Sequence, residues 1–284
     1  MKRAGSVTAR RSELALLLAV LLWGTSFIVM KRSLDTISPG LLILVRFVIA
    51  SLLVYLLFRR RIAFTWQSLL KGLAIGVPEF LGFILQVSGL ALTTASKNAF
   101  ITGLCVVVGP LLSLVFLHEK QSLRVAGALA LAVAGLWVIS FGFTLDVGAM
   151  STGDFLTLLS ALAFGVQVLM IHVFSDHDSF ASTTFFQLLV VALCSLAYVL
   201  LRHESLVVNP AAWPSLLYLA VFTTVIALLL QNRFQHEVSV AQASLLYSLE
   251  PVVATILAVV LLGEPMTSSV LVGGVLMFTA SAIS

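Results

Sequence analysis

Three ionisable side chains, Arg46, Glu79 and Glu250, fall inside long apolar runs of this 284-residue chain. Glu250 is followed by Pro251 within SLLYSLEPVVATILAVVLLGEP, residues 244–265. It lies about nine residues in from the start of its run, which is ~14 Å of helix at ~1.5 Å per residue. A charge at such depth in hydrocarbon costs ~2.5–3.5 kcal/mol, so it is expected to face a cavity or a partner. Pro251 has no N–H to give to the carbonyl of Tyr247. Irregular backbone at membrane depth survives only where protein or a water-filled cavity receives the freed groups. Tyr247, Glu250 and Pro251 therefore predict a helix break that faces a central cavity. A carboxylate there can exchange a proton with either side or hold an ammonium group. A kinked packing helix is the plainer reading.

Other polar residues extend the pattern. Arg46 is predicted to pair with Glu79 or Glu250, either as a fixed ion pair or as a group that meets a substrate carboxylate or a gate. Glu79, Phe83 and Gln86 share a face at i, i+4 and i+7, as Asn98, Thr102 and Cys105 do at 4-then-3 spacing. Gln167, Gln187 and Gln231 add amides from further spans, and Trp23, Phe164 and Tyr247 could wall a cavity. Hydrogen bonds between helices would explain the amides equally well. Pro110 is expected to free the carbonyl of Val106, about one turn from the position equivalent to Pro251. Gly24, Gly103, Gly165, Pro110 and Pro251 are the candidate hinges. Glu119 and Glu264 each end a span and read as structural.

No chemistry of another kind is expected. Cys105 and Cys194 read as packed apolar residues, and His172 with the SDHDS loop (Ser175–Ser179) as solvated, with no metal site. There is no G-x-x-x-x-G-K-S/T phosphate loop, so no ATP-driven pump is expected, nor any cofactor or catalytic residue.

The elements that must position these residues follow from composition. The chain is 60% hydrophobic and 10% charged, with mean hydropathy +1.13, where a soluble domain carries roughly 25% charge. Ten continuous apolar runs occupy 13–30, 39–58, 69–92, 98–117, 123–143, 154–174, 180–201, 213–231, 241–262 and 268–283. Most approach the ~20 residues that cross a bilayer, and none alternates as a barrel strand would. The expected fold is all-α and polytopic, with ten transmembrane helices in the lipid bilayer. The net charge of +4 sits beside the spans and suggests no nucleic-acid partner. Eleven Lys and Arg fall on the side of the N-terminus and four on the other, so both termini are expected to be cytoplasmic. The 1–12 tail, with Arg10-Arg11, reads as a cytoplasmic extension rather than a cleaved signal.

The scarce polar residues recur. A shift of 141 carries Glu13 to Asp154, Trp23-Gly24 to Phe164-Gly165, Asp35 to Asp176, Ser38 to Ser179 and Arg46 to Gln187. A shift of 145 carries Leu85-Gln86 to Leu230-Gln231, Thr94 to Ser239 and Glu119 to Glu264. Two five-helix repeats follow, residues 13–143 and 154–284. Five is odd, so the second copy must be inverted, and inverted repeats place a substrate site between the halves near the midplane.

The motifs resemble a known family. WGTSF (Trp23–Phe27), the arginine of LVRF (Leu44–Phe47) and SVAQASLLYSLEPVVATILAVVLLGEP (Ser239–Pro265) are similar to the EamA-like branch of the drug/metabolite transporter superfamily. The first-repeat counterpart, Thr94–Lys120, departs from the pattern in His118 and in the placing of its proline. The resemblance implies spans 1–4 and 6–9 around a cavity, with spans 5 and 10 outside. It implies a secondary carrier for a small-molecule substrate, expected to export amino acids or other metabolites across an inner membrane by alternating access, with protons as a candidate coupling ion. An importer or exchanger on the same fold, or a lipid-binding scaffold, is the competing expectation.

Overall fold

The computed structural model describes residues 2–118, 122–143, 150–176 and 179–283. Every regular element among them is helical. Three helices open the chain: α1 (Lys2–Ser33), α2 (Pro39–Phe58) and α3 (Trp66–Leu92). The fourth span is two helices, α4 (Ala95–Thr102) and α5 (Cys105–Phe116), and α6 (Leu123–Phe141) follows. After α7 (Thr152–Phe174) and α8 (Phe180–Leu201), the eighth span runs from Pro210 to Glu237. It contains α9 (Trp213–Tyr218), a π-helical stretch (Leu219–Ile226) and α10 (Ala227–Phe234). The ninth span is again divided, into α11 (Val240–Tyr247) and α12 (Glu250–Leu262), and α13 (Ser268–Ile283) is last. Eight of these stretches are long and apolar enough to cross a membrane, and α6 and α13 are shorter apolar helices. Glu119, His177 and Asp178 lie outside the described residues.

The helices start where hydroxyl side chains can take over the first free N–H groups. Ser38, Thr65, Thr94, Ser151 and Ser239 cap α2, α3, α4, α7 and α11. Thr94 and Ser239 are equivalent at the 145 shift and do the same work. Large apolar side chains such as Leu18, Leu52, Leu56, Leu193, Val260 and Phe278 are exposed on the outside. Thr183, Thr184, Gln187, Asn98 and Asn232 are fully buried. Polar inside and apolar outside is the arrangement a bilayer demands.

Loops at the two ends keep separate company. Lys31 reaches the carbonyls of Leu90 and Thr93, Lys97 pairs with Asp154, and Ser38 with Glu204, all at one end. Lys71 pairs with Asp176, Ser12 bonds Glu237, and Ala63 donates to Ser182 at the other. Successive helices therefore run up and down.

The pairing of helices exchanges between halves. α4 packs on α12 and α5 on α11, so the two divided spans cross antiparallel. α7 packs on α5 as α1 packs on α12. α2 packs on α8, and α6 on α13. The contacts repeat at atomic detail. A Cβ on Gly24 would lie 2.5 Å from Val253 Cγ1 and 3.3 Å from the Ala254 nitrogen. A Cβ on Gly165 would lie 2.4 Å from Val108 Cγ1 and 3.3 Å from the Gly109 nitrogen. Glycine is required here because helices approach within a methyl group of each other. Both members of each pair are related by the shifts of 141 and 145.

The breaks in the divided spans also match. Gly103 and Leu104 have ψ of −17° and −16°, and Ser248 and Leu249 have −15° and −17°. Leu104 donates to Ile101 and Leu249 to Leu246, both at 3.1 Å, so each break is one tightened i→i−3 turn. This corrects the expectation for Pro110. The proline lies inside α5 and the break lies at Gly103–Leu104. Pro251 sits at the start of α12, where a missing N–H is cheapest. Gly103 meets Pro251 directly, its added Cβ falling 2.8 Å from the ring.

Glu264 does more than close its own turn. It accepts from the Ala95 and Ser96 nitrogens and the Ser96 hydroxyl, and so caps α4 of the other half.

Two predictions follow from this packing. Gly165→Ala should destabilise the protein by roughly 1–3 kcal/mol through overpacking, and Val108→Ala should restore much of the loss. Thermal unfolding in detergent of the two single variants and the double variant measures the coupling. At Asp176, loss of surrounding water opposes the charge, but hydrogen bonds from Ser179 and Lys71 outweigh it and hold the carboxyl well below the usual range. Its contribution is therefore present above the unfolded value of about 3.9 and is lost as pH falls below it. Asp176→Asn should lower stability across the neutral region and flatten the acid limb of a stability-against-pH curve, so that variant and wild type converge at low pH.

Candidate functional site

A cavity lies between the halves. Its lining is Trp23, Ser26, Glu79, Phe83, Gln86, Thr102, Cys105, Phe164, Gln167, Val168, Leu228, Gln231, Tyr247 and Glu250. These come from spans 1, 3, 4, 6, 8 and 9. Spans 2 and 7 stand behind the wall, which corrects the expectation that they line it. Nine of the twelve residues singled out in the sequence meet here.

The lining is built from equivalent pairs. Trp23 and Phe164, and Ser26 and Gln167, are related by 141. Phe83 and Leu228, Gln86 and Gln231, Thr102 and Tyr247, and Cys105 and Glu250 are related by 145. The cavity thus sits where the two halves present the same surface to each other. Cys105 and Glu250 each occupy the first position after a helix break, so the break aims both side chains at the cavity. Cys105 is therefore a wall residue and not plain packing. Ser26, Cys105 and Leu228 would have been found by applying the two shifts to Gln167, Glu250 and Phe83. Val168 had no such signal.

Arg46 does not line the cavity. Its Nε donates to Thr224 Oγ1 at 2.5 Å, Nη2 to the Thr223 carbonyl at 3.2 Å, and Nη1 to Met30 Sδ at 3.5 Å. The guanidinium lies 4.7 Å from the ring centre of Phe83, which is itself a wall residue. No ion pair joins Arg46 to Glu79 or Glu250 among the described residues, so the expected salt bridge is corrected. The π-helical stretch explains the preference. Its wide turn turns Thr223 and Thr224 toward α2, and the Thr223 carbonyl also accepts from Trp23 Nε1 at 3.1 Å.

Gln187 is likewise behind the wall. Its amide nitrogen donates to Glu79 Oε2 at 2.7 Å, and its oxygen accepts from Asn232 at 2.7 Å. Glu79 and Thr224 are related by 145, as Arg46 and Gln187 are by 141. Gln187–Glu79 and Arg46–Thr224 are therefore one contact made twice. Asn98 also leaves the cavity, for it donates to the Gln86 carbonyl at 3.1 Å and to Thr157 at 2.7 Å.

Amides of the second half are linked to one another beside the cavity. Gln167 donates to Gln231 at 3.4 Å, Gln231 to Gln235 at 3.0 Å, and Tyr247 to Gln235 at 2.8 Å. Gln235 in turn donates to the Val168 carbonyl at 2.7 Å. Their equivalents in the first half make one direct bond, from Gln86 to Thr102, 3.2 Å long. Leu90 stands where Gln235 stands.

The comparisons with known proteins decide the family. The sequence model of the EamA-like transporter family matches twice, over residues 10–141 and 151–284. The chain belongs to the EamA-like transporter family. Members of this family are small-molecule transporters of the membrane, and this chain is one of them. It is 32% identical to an uncharacterized transporter of Archaeoglobus fulgidus, over 96% of this chain and 85% of the relative. It is 27% identical to a probable amino-acid metabolite efflux pump of Salmonella typhimurium, over 97% and 95% of the two chains. A solved crystal structure superposes with a TM-score of 0.77, over 96% of each chain at 18% identity, and shows the same fold.

Thr224→Val removes the principal acceptor of Arg46 and should cost roughly 1.5–3 kcal/mol, the worth of a hydrogen bond to a charged group. Thr224→Ser keeps the hydroxyl and should stay close to wild type in the same thermal scan.

Proposed function

We propose that this protein is a secondary-active exporter of amino acids or related metabolites, working by alternating access. The observation that carries the reading is the cavity lined by equivalent residues of the two halves. A pair of inverted five-helix repeats, 13–143 and 154–284, would present the same surfaces in exchange as it rocks. The antiparallel crossing of the divided spans and the twofold family match support that arrangement. Ten membrane crossings are read from the ten apolar runs, cytoplasmic termini from the loop charges, and an inner-membrane location from the family resemblance. Export of amino-acid-related compounds takes its support from the name of the Salmonella relative.

In this reading Trp23, Phe164 and Tyr247 contact substrate, and Gln86, Thr102, Gln167 and Gln231 line the path. The tightened turns at Gly103–Leu104 and Ser248–Leu249, with Pro251, are the hinges. Gly24 and Gly165 serve as the close contacts on which the halves roll. Glu250 is the candidate for proton exchange, because its carboxylate has no hydrogen-bond partner among the described residues and meets the cavity.

Transport of a labelled substrate by the protein in liposomes tests this. Glu250→Gln keeps the shape and removes the charge, and it should reduce flux at least tenfold while the protein remains folded. Cysteines placed at Thr102 and Tyr247 should change their reactivity when substrate is added. Wild-type flux in Glu250→Gln, together with labelling that no compound alters, would remove the basis for the mechanism.

A further inference from the structure

The carboxyl groups in the cavity wall have no basic side chain beside them in that wall. Glu79 and Glu250 are the ionisable acids in its wall, and the wall contains no arginine, lysine or histidine. Glu79 is 1% exposed. One of its oxygens is held by Gln187, while Oε1 is buried without a hydrogen bond. A buried carboxylate oxygen left without a donor is a site for one. Arg46 does not supply it, since its Nε, Nη1 and Nη2 donate to Thr224, Met30 and Thr223 and the guanidinium packs on the ring of Phe83.

The amides carry no charge to offer an anion. Gln86, Gln167 and Gln231 each commit one N–H to a partner within the protein, and the N–H that each keeps can bond a carboxylate but cannot neutralise it. The remaining surface is aromatic. Trp23 and Tyr247 meet edge to face at 5.5 Å, and Phe83 and Phe164 at 5.2 Å. Aromatic rings attract cations and reject carboxylates. A zwitterionic amino acid would bring a carboxylate into a space that has two already and no cation to meet it. Burying an unpaired charge is the heaviest penalty in such a site.

We propose that the cavity selects organic cations: amines with an aromatic or apolar body and no carboxylate of their own. This rests on reading the cavity as the substrate site and narrows the substrates from amino acids to their carboxylate-free amine relatives. The ammonium group takes the free oxygen of Glu79 and the carboxylate of Glu250, and the body lies among Trp23, Phe83, Phe164 and Tyr247. Phe83 sets the selectivity by keeping Arg46 out of reach.

Three compounds with one ring and different charges test the idea: 2-phenylethylamine, phenylalanine and 3-phenylpropionate. Their binding to the full-length protein in lipid nanodiscs is measured by titration calorimetry. The amine should bind at least about tenfold more tightly than phenylalanine, a difference of about 1.4 kcal/mol, and the acid should not bind. Glu250→Gln should weaken the amine at least tenfold. Phe83→Ala, which uncovers Arg46, should raise the affinity for 3-phenylpropionate and lower that for the amine, and it serves independently if Glu250→Gln does not fold. Phenylalanine binding as tightly as the amine, and weakened by Phe164→Ala, would overturn the cation preference and leave the cavity as the substrate site. Amine binding that neither Phe164→Ala nor Glu250→Gln alters, or no amine binding up to millimolar concentration, would overturn both.

Discussion

A polar side chain between apolar helices has no water to return to, so it must find its partner on another helix or face a cavity. Gln187 meets Glu79 across the halves, and Arg46 meets Thr224 in the same way. The contact of α2 with the eighth span and that of α8 with α3 both depend on these pairs. Once they are made, Phe83 and Glu79 are fixed on one side and Trp23 on the other. The cavity is what remains between helices held apart by their own polar bonds. Its carboxylates come from positions whose equivalents, Thr224 and Cys105, are uncharged. The scaffold is thus shared between the halves, but the charge is not.

The close contacts of glycine with valine set the other limit. Gly24 and Gly165 let α1 and α7 lie against the second halves of the divided spans. That approach brings the tightened turns together, with Gly103 against Pro251. A helix that tightens for one turn keeps its hydrogen bonds but changes direction. The change carries the side chains after it, Cys105 and Glu250, toward the centre.

Much of this was legible in the sequence because polar residues are so scarce in it. Glu250 beside Pro251 pointed to a break and a cavity, and the shifts of 141 and 145 related residues that line the same cavity. Gln86 with Gln231 and Trp23 with Phe164 are examples. Depth along a helix was legible too, but direction around it was less so. Arg46 was expected to seek a carboxylate because charge is long-ranged. It took a threonine instead, because a π-helical turn at Leu219–Ile226 carried hydroxyl and carbonyl groups to it. Nothing in LAVFTTVI announces that turn. Pro110 misled for the opposite reason. A proline is a visible mark, while the break at Gly103–Leu104 is made by a change of about one hydrogen bond in backbone that looks ordinary.

The bonding of Gln235 has a thermodynamic consequence. Its three hydrogen bonds, from Gln231 and Tyr247 and to the Val168 carbonyl, have no equals at Leu90. Each such bond is worth about 0.5–1.5 kcal/mol net. The two equivalent positions therefore differ by several times the thermal energy. Under the proposed alternating access, that difference weights the molecule toward the state in which these bonds are made, and whatever tips it must bring at least that much free energy of its own.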